Sequence, residues 1–298
     1  MNNLSEIIAQ FSAAMLEHDI TPPTNIKPDG ELHRFYISGH KKGTLDGAYK
    51  LHADGLRPAG YFQDFTKGLK INWKFNGEVK QFSPEERRQY AQEKRQKQEQ
   101  QQREELAKHH NAANEAAHIW AKAVPTSEHP YLTKKRIQAH GTRLYTDCFA
   151  HYRRYKGCLV IPLLNSSMRL MSLQFISSDG DKRLFPGGQK KGCFWWIGAK
   201  TDKILIAEGF ATAASLFQST GYQTFISFDA GNLPSVAAIV RSKRPDATIV
   251  ICGDNDESGR GQQAAEAAAL ACDGLVAMPP ELGTDYNDWF IQLNQEGV

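Results

Sequence analysis

From Lys203 to the C-terminus, short apolar runs alternate with small-residue helical segments, and that rhythm leaves few folds open. The runs read ILIAE, TFISFDA, TIVICGD and GLVAMP. Between them lie ATAASLFQST, LPSVAAIVRSK and GRGQQAAEAAALAC, and TDYNDWF leads into a last helix. The runs are continuously apolar, as strands covered on both faces are, so residues 201–298 are expected to form a parallel sheet with helices on both faces. Three acidic clusters punctuate the pattern: Glu208, then Asp254 and Asp256, then Asp285 and Asp288. The first two follow apolar runs and so fall at the carboxyl ends of strands, where open α/β sheets build their sites.

Carboxylates from neighbouring strand ends can converge on hard divalent cations, which suit phosphate chemistry. Asp254 and Asp256 are two apart, so in extended backbone their side chains lean the same way; one cation could bridge them, or each could hold one of a metal pair. Gly259 and Arg260 open a helix whose first N–H groups could receive a phosphate. The competing reading is that each acid caps a helix, and Asp285 or Asp288 could do no more than that. Three caps in this order would be a rarer arrangement.

Charge is unevenly spread. Residues 201–298 hold five Lys and Arg against thirteen Asp and Glu, while residues 1–200 hold thirty-one against twenty. An acidic part able to hold metals, joined to a basic part able to hold a polyanion, points to nucleic acid; chance asymmetry is the plain alternative. No apolar run approaches the ~20 residues of a membrane span, and the N-terminus reads as an amphipathic helix rather than a signal peptide. Cys148, Cys158, Cys193, Cys252 and Cys272 include no CxxC pair. They read as buried thiols of a reducing cytoplasm and offer no zinc site.

The preceding chain divides into three expected parts. Residues 1–81 hold a helix with Leu4, Ile7, Ile8, Phe11 and Met15 on one face, then a small antiparallel sheet turning at Gly39, Gly43, Gly47, Gly55, Gly60 and Gly68. Aromatic and basic residues interleave there, a mixture that suits base stacking with phosphate neutralisation, although for any single ring a place in the core of the small sheet is the stronger reading. Residues 82–124 form a long polar helix, with Ser83 as N-cap and Pro84 at the first helical position. Residues 125–200 are a basic α+β unit, closed by GCFWWIG; from Lys134 to Lys156 it sets Lys134, Lys135, Arg136, Arg143, Arg153, Arg154 and Lys156 against one acid, Asp147. Its loop KRLFPGGQKKG sets Lys182, Arg183, Lys190 and Lys191 around two glycines; phosphate binding and a solvated hairpin explain it about equally.

ILIAEGFATAASL, followed by ICGDNDESGRGQQAA, resembles the Toprim domain shared by bacterial primases, topoisomerases and some nucleases. Glu208, Asp254 and Asp256 match that family's metal-associated Glu-Gly and Asp-x-Asp positions, and the D-x-D-x-x-G-R form is similar to the primase branch. GTDYNDWF resembles the later acidic motif of primases, which would place Asp285 and Asp288 beside the metals. Many chromosomal primases carry another acid a turn after the Glu, where this chain has Thr212. Upstream, HPYLTKKRI and CLVIPLLNSSMRLMSLQFISSDGDKRLFPGGQKKGCFWWIG look like primases of conjugative plasmids and satellite phages.

The resemblance implies a DNA primase of a plasmid or other mobile element: a nucleotidyltransferase making short RNA or mixed primers on single-stranded DNA from NTPs. It implies Mg²⁺ or Mn²⁺ at a two-metal site held by Glu208, Asp254 and Asp256, with Asp285 and Asp288 adding ligands. Lys182, Arg183, Lys190, Lys191 and Arg260 would contact nucleotide or template phosphates, and Lys134, Lys135, Arg136, Arg153 and Arg154 the single strand. No zinc is expected without CxxC, and no fused helicase motor without GxxxxGK[ST]; a separate helicase or single-stranded DNA-binding protein would be the partner. The rivals are a Toprim nuclease, a topoisomerase and a non-catalytic single-stranded DNA binding or transfer protein.

Overall fold

The computed structural model describes residues 4–53, 57–77, 83–147 and 150–296; Gly55 and Cys148 lie outside them. The chain forms two compact units that divide between residues 100 and 101.

In the first unit, α1 (Leu4–Leu16) buries Ile7, Phe11 and Met15 against a four-stranded antiparallel sheet. The strands β1 (His33–Phe35), β2 (Gly47–His52), β3 (Ala59–Asp64) and β4 (Leu69–Lys74) follow one another in space as in sequence. Phe11 sets its edge against Tyr49, Phe62 and Trp73, a geometry the ring quadrupoles favour. The interleaved aromatics therefore separate. Phe35, Tyr49, Phe62 and Phe75 are core, whereas Phe65 lies outside under the Arg34 guanidinium and Tyr61 under the Lys70 ammonium.

Helix α2 (Pro84–Lys122) opens with a capping box: the Glu86 N–H donates to Ser83 Oγ and the Ser83 N–H to the Glu86 carboxylate. Apolar residues return only in its last third, where Ala112, Ala116 and Ile119 are buried in the second unit.

The second unit contains two sheets among the described residues. The antiparallel one takes β5 (Val124–Pro125), β6 (Arg143–Leu144), β7 (Leu159–Leu164), β8 (Leu170–Ile176) and β9 (Lys182–Leu184) in order. Helix α3 (Pro130–Lys135) and a 3₁₀ turn (Ala150–Tyr155) fill its connections. The other sheet has the order β10 (Trp195–Ile197), β12 (Gln223–Ile226), β11 (Lys203–Ala207), β13 (Thr248–Cys252) and β14 (Leu275–Ala277). Its last four strands are parallel, as the continuous apolar runs require. GCFWWIG, read as closing the preceding unit, instead lays β10 antiparallel along β12 while Phe194 also bridges to Leu164. Along β11 the side chains alternate between two cores. Leu205 and Ala207 face α4 (Phe210–Thr220) and α7 (Tyr286–Glu296), while Ile204 and Ile206 face α5 (Leu233–Lys243) and α6 (Arg260–Cys272). No described helix is long and apolar enough to cross a membrane.

Phe11 is the sole helix residue that meets three aromatic side chains of the sheet among the described contacts, so its truncation should be costly. Phe11→Ala is expected to destabilise the first unit by about 3–5 kcal/mol, read as a lowered urea midpoint in near-UV circular dichroism.

Candidate active site

Strand register builds the site. Ala207 of β11 is paired with Cys252 of β13, so the two strands end together and the next residues leave the sheet at one edge. Glu208 follows directly, its carbonyl accepting the Phe228 N–H at 2.8 Å from the end of β12. Asp254 follows β13 after Gly253, whose N–H donates to Ala277 of β14 at 3.0 Å. A side chain at Gly253 would meet Met278 Sδ at 2.7 Å and the Ala265 methyl at 2.9 Å, so that turn tolerates no Cβ.

The D-x-D segment is not extended. Asp256 turns back to cap α6, accepting the Gly261 N–H at 2.7 Å, the Arg260 N–H at 3.3 Å and the Ser258 hydroxyl. The helix amides expected to be open for a phosphate are thus engaged within the chain, because a carboxylate just before the helix reaches them first. Gly261 makes this packing possible: a Cβ there would lie 2.0 Å from the Asp254 carbonyl oxygen and 2.9 Å from Asp256 Oδ2.

Two asparagines bring the remaining parts in, and neither was singled out by the sequence reading. Asn255 pairs its backbone with Thr284 (N–H to O, 3.0 Å) and donates from Nδ2 to the Pro279 carbonyl at 3.0 Å, drawing the third acidic cluster beside the second. Asn287, buried in α7, donates to the Lys135 carbonyl and to Ser215 Oγ, each at 2.8 Å, pinning α7 to α3 and α4. Asp285 caps α7 through the Asp288 N–H at 2.9 Å, and Asp288 pairs with Lys135 Nζ at 3.0 Å. The cue missed in TDYND was thus its amide rather than its acids.

Beside the acids lies a cleft of about 190 Å³ walled by Lys134, Lys135, Lys182, Asp285 and Tyr131. Lys182 reaches Gly209, its Nζ 3.4 Å from where a Cβ would stand. The Tyr131 hydroxyl is buried with no hydrogen-bond partner. The basic residues expected to act together therefore separate. Arg183, next on β9, points the other way, where its charge is felt by Cys158. Lys190 is paired with Asp229, Lys191 and Arg260 are exposed, and Arg136 closes α3 in a left-handed conformation at φ 52°. Arg154, stacked on Tyr155, lines a separate groove of about 420 Å³ between α2 and the Phe185–Gly187 turn, with Arg153 exposed on the same 3₁₀ turn.

The loop after β12 is fixed by buried Asn232, which accepts the Gly192 N–H at 2.8 Å and donates to the carbonyls of Cys193 (2.9 Å) and Ser227 (2.8 Å). It ties the glycine-lysine loop to the strand ends. Thr212, where an acid was weighed, is buried in α4.

Electrostatically the acids differ. Burial pushes the Asp254 carboxyl up to about 7, helped by the negative fields of Glu208, Asp285 and Asp256 and opposed by Lys182. Burial also raises Glu208, against the pull of Lys182, the Ala230 N–H and Arg260. Asp256 is held below the usual range by the Ser258 hydroxyl and the α6 amides. Asp254 Oδ1 is buried without a hydrogen-bond partner, an arrangement a cation would relieve. No three His, Cys, Asp or Glu side chains stand close enough to share one ion among the described residues. Mg²⁺ commonly needs only one or two carboxylates, completing its shell with water and substrate phosphates, so the all-oxygen set fits.

Residues 203–296 match the Toprim domain family. Two Escherichia coli proteins named DNA primase TraC are 34% and 33% identical over 264 residues, 84% of this chain. The chain spans only 18% and 24% of the length of those relatives. Among solved structures, the primase fragment of the bacteriophage T7 primase-helicase is similar with a TM-score of 0.44 and 18% identity, over 60% of this chain and 74% of that one. A DnaG primase catalytic domain bound to single-stranded DNA gives 0.45 and 13%, over 64% and 77%.

The unpaired Asp254 carboxylate should cost stability once charged. Its pKa is raised on folding, so the folded state holds the extra proton between about pH 4 and pH 7, and stability from this group falls as pH rises through that window. Asp254→Asn is therefore expected to raise the metal-free Tm at pH 8, by a few degrees, and to give no such gain at pH 4. Differential scanning calorimetry at the two pH values checks it.

Proposed function

We propose that this Toprim-bearing chain is a DNA primase, synthesising RNA or mixed primers on single-stranded DNA from NTPs. The observation that carries this reading is the pairing of Asp254, whose Oδ1 is buried and unpartnered in the field of Glu208, with a cleft walled by three lysines. Carboxylates alone would suit phosphodiester hydrolysis as well. A cationic pocket next to them suits a substrate that arrives as a triphosphate. The kinship with proteins named DNA primase points the same way.

Glu208 and Asp254 would hold Mg²⁺ or Mn²⁺; Asp285 and Asp256 would add their negative fields, and Asp288 is held back by Lys135. When bound, the cation supplies charge neutralisation and orientation for in-line displacement at phosphorus. The chain's own side chains do the rest. Lys182, Lys134 and Lys135 take the polyphosphate, and the Tyr131 hydroxyl donates to an oxygen of the same ligand. Arg153 and Arg154 line a path for the template strand, with Arg183 and Lys191 exposed as further phosphate contacts. Residues 125–200 would be the basic subdomain of a primase core, and residues 1–81 would serve template or partner binding. A separate helicase or single-stranded DNA-binding protein, in the replication of a plasmid or other mobile element, completes the proposal.

Labelled NTP incorporation on single-stranded DNA tests it. Asp254→Ala is expected to abolish incorporation while leaving DNA binding, read by anisotropy, within about twofold; full primer yield would overturn the assignment. Lys182→Ala is expected to raise the KM for NTP by about tenfold and to leave template affinity unchanged. Degradation of labelled DNA with Mg²⁺ and no NTP would replace this reading with the nuclease.

A further inference from the structure

At the opposite end of the parallel sheet, the side chains of β10, β12 and α5 leave a pocket of about 230 Å³. Its floor is Phe194, Phe225 and Val240, all buried, and Trp196 forms one wall. Phe194, Trp196 and Phe225 pack against one another, with centroids 5.6–6.4 Å apart, so the apolar wall is prebuilt. The rim is cationic: Lys200, Lys243 and Arg244. Residues 201–298 carry only five basic side chains against thirteen acidic ones, and two of those five stand on this rim. Cations at the end of α5 are partly explained by the helix dipole. That does not account for Lys200, which comes from the segment before β11 on the other side.

The rim is also held in place. Arg244 donates to the Thr201 carbonyl at 2.7 Å and to Gln223 Oε1 at 3.3 Å, which fixes one cation over the apolar floor. The nearest acids in sequence, Asp202 and Asp246, do not line the pocket. Glu208 lies at the far end of β11, roughly 16 Å away at the rise of a strand, so an occupant here would leave the acidic site open.

We propose that this pocket docks an acidic peptide of a partner protein through one apolar anchor residue. Charge complementarity sets the sign of the partner: carboxylates for the three rim cations. The floor sets the anchor, because a nucleobase placed there would bury polar edges among Phe194, Phe225 and Val240, and the amide of the lining, Gln223, already accepts from Arg244. A Phe or Leu side chain loses nothing in that environment and gains its full burial.

The test uses the full chain and a fluorescein-labelled acidic octapeptide ending in phenylalanine, followed by anisotropy. Saturable binding is expected, weakened about tenfold when the peptide ends in alanine and about tenfold in Lys243→Glu. Lys243 is exposed, and unchanged circular dichroism and Tm show that the variant folds. Trp196→Leu, which keeps an apolar wall but opens it, should weaken the phenylalanine peptide and leave the alanine one unchanged. Equal binding of both peptides, or no binding by either, overturns the proposal. A loss of oligothymidylate affinity in Lys243→Glu with no change for the peptide also overturns it and assigns the surface to nucleic acid. None of these readings depends on primer synthesis.

Discussion

The parallel pairing of β11 with β13, Ala207 opposite Cys252, is the constraint on which the rest of the site depends. Both strands are buried on both faces, so neither can slip by a residue without turning Ile204, Ile206, Ile249 and Ile251 out of one core and into the other. The register is therefore held by the whole apolar content of the sheet. Because it is held, the two chains leave the sheet together, and the acids that follow must occupy a common edge. Gly253 and Gly261 then let α6 close against the turn at distances no Cβ would allow.

That closure has an electrostatic consequence. Asp254 is buried among like charges with Lys182 as the nearby counter-charge, and one of its oxygens is left without a donor. A buried unpaired carboxylate costs stability, and the fold sustains it by over-determining the surroundings. Asn255 staples one acidic loop to the other, Asn287 anchors α7 to two helices, and Asn232 ties the glycine-lysine loop to the strand ends. Three neutral amides thus hold a charged site in place. Amides suit the task, since their N–H groups bind carbonyl and hydroxyl oxygens without adding to the crowded charge, and Asn232 accepts as well.

Strand ends and their acids were legible because a fully buried strand writes itself as a continuous apolar run, and its last residue fixes where the next side chain must lie. The capping box of α2 was half legible for a similar reason: Ser83 is local chemistry, and Glu86 completes it from three residues on. Pairings between distant segments could not be read. GCFWWIG is as apolar as any strand, but nothing in its residues says that it runs antiparallel along β12. Lys134 and Lys135, grouped by composition with Arg153 and Arg154, stand instead at the acidic cleft, because Asn287 pins α3 to α7. Lys182 and Arg183 are neighbours in sequence, yet the pleat sends one to the acids and the other away.

Asp254 and Asp256 show how environment divides the work of two identical side chains. The sequence spaces them as a matched pair, and in extended backbone they would be equivalent. The turn into α6 removes that equivalence: Asp256 is satisfied by two helix amides and a hydroxyl, so its charge is stabilised, while Asp254 receives no such donors at Oδ1 and its charge is not. A cation approaching this edge gains most from the carboxylate with an empty coordination direction. It would have to compete with the α6 cap for the other. The cap and ligand readings of these acids are therefore not rivals across the motif but a division within it, with Asp256 shaping the turn that leaves Asp254 Oδ1 without a donor.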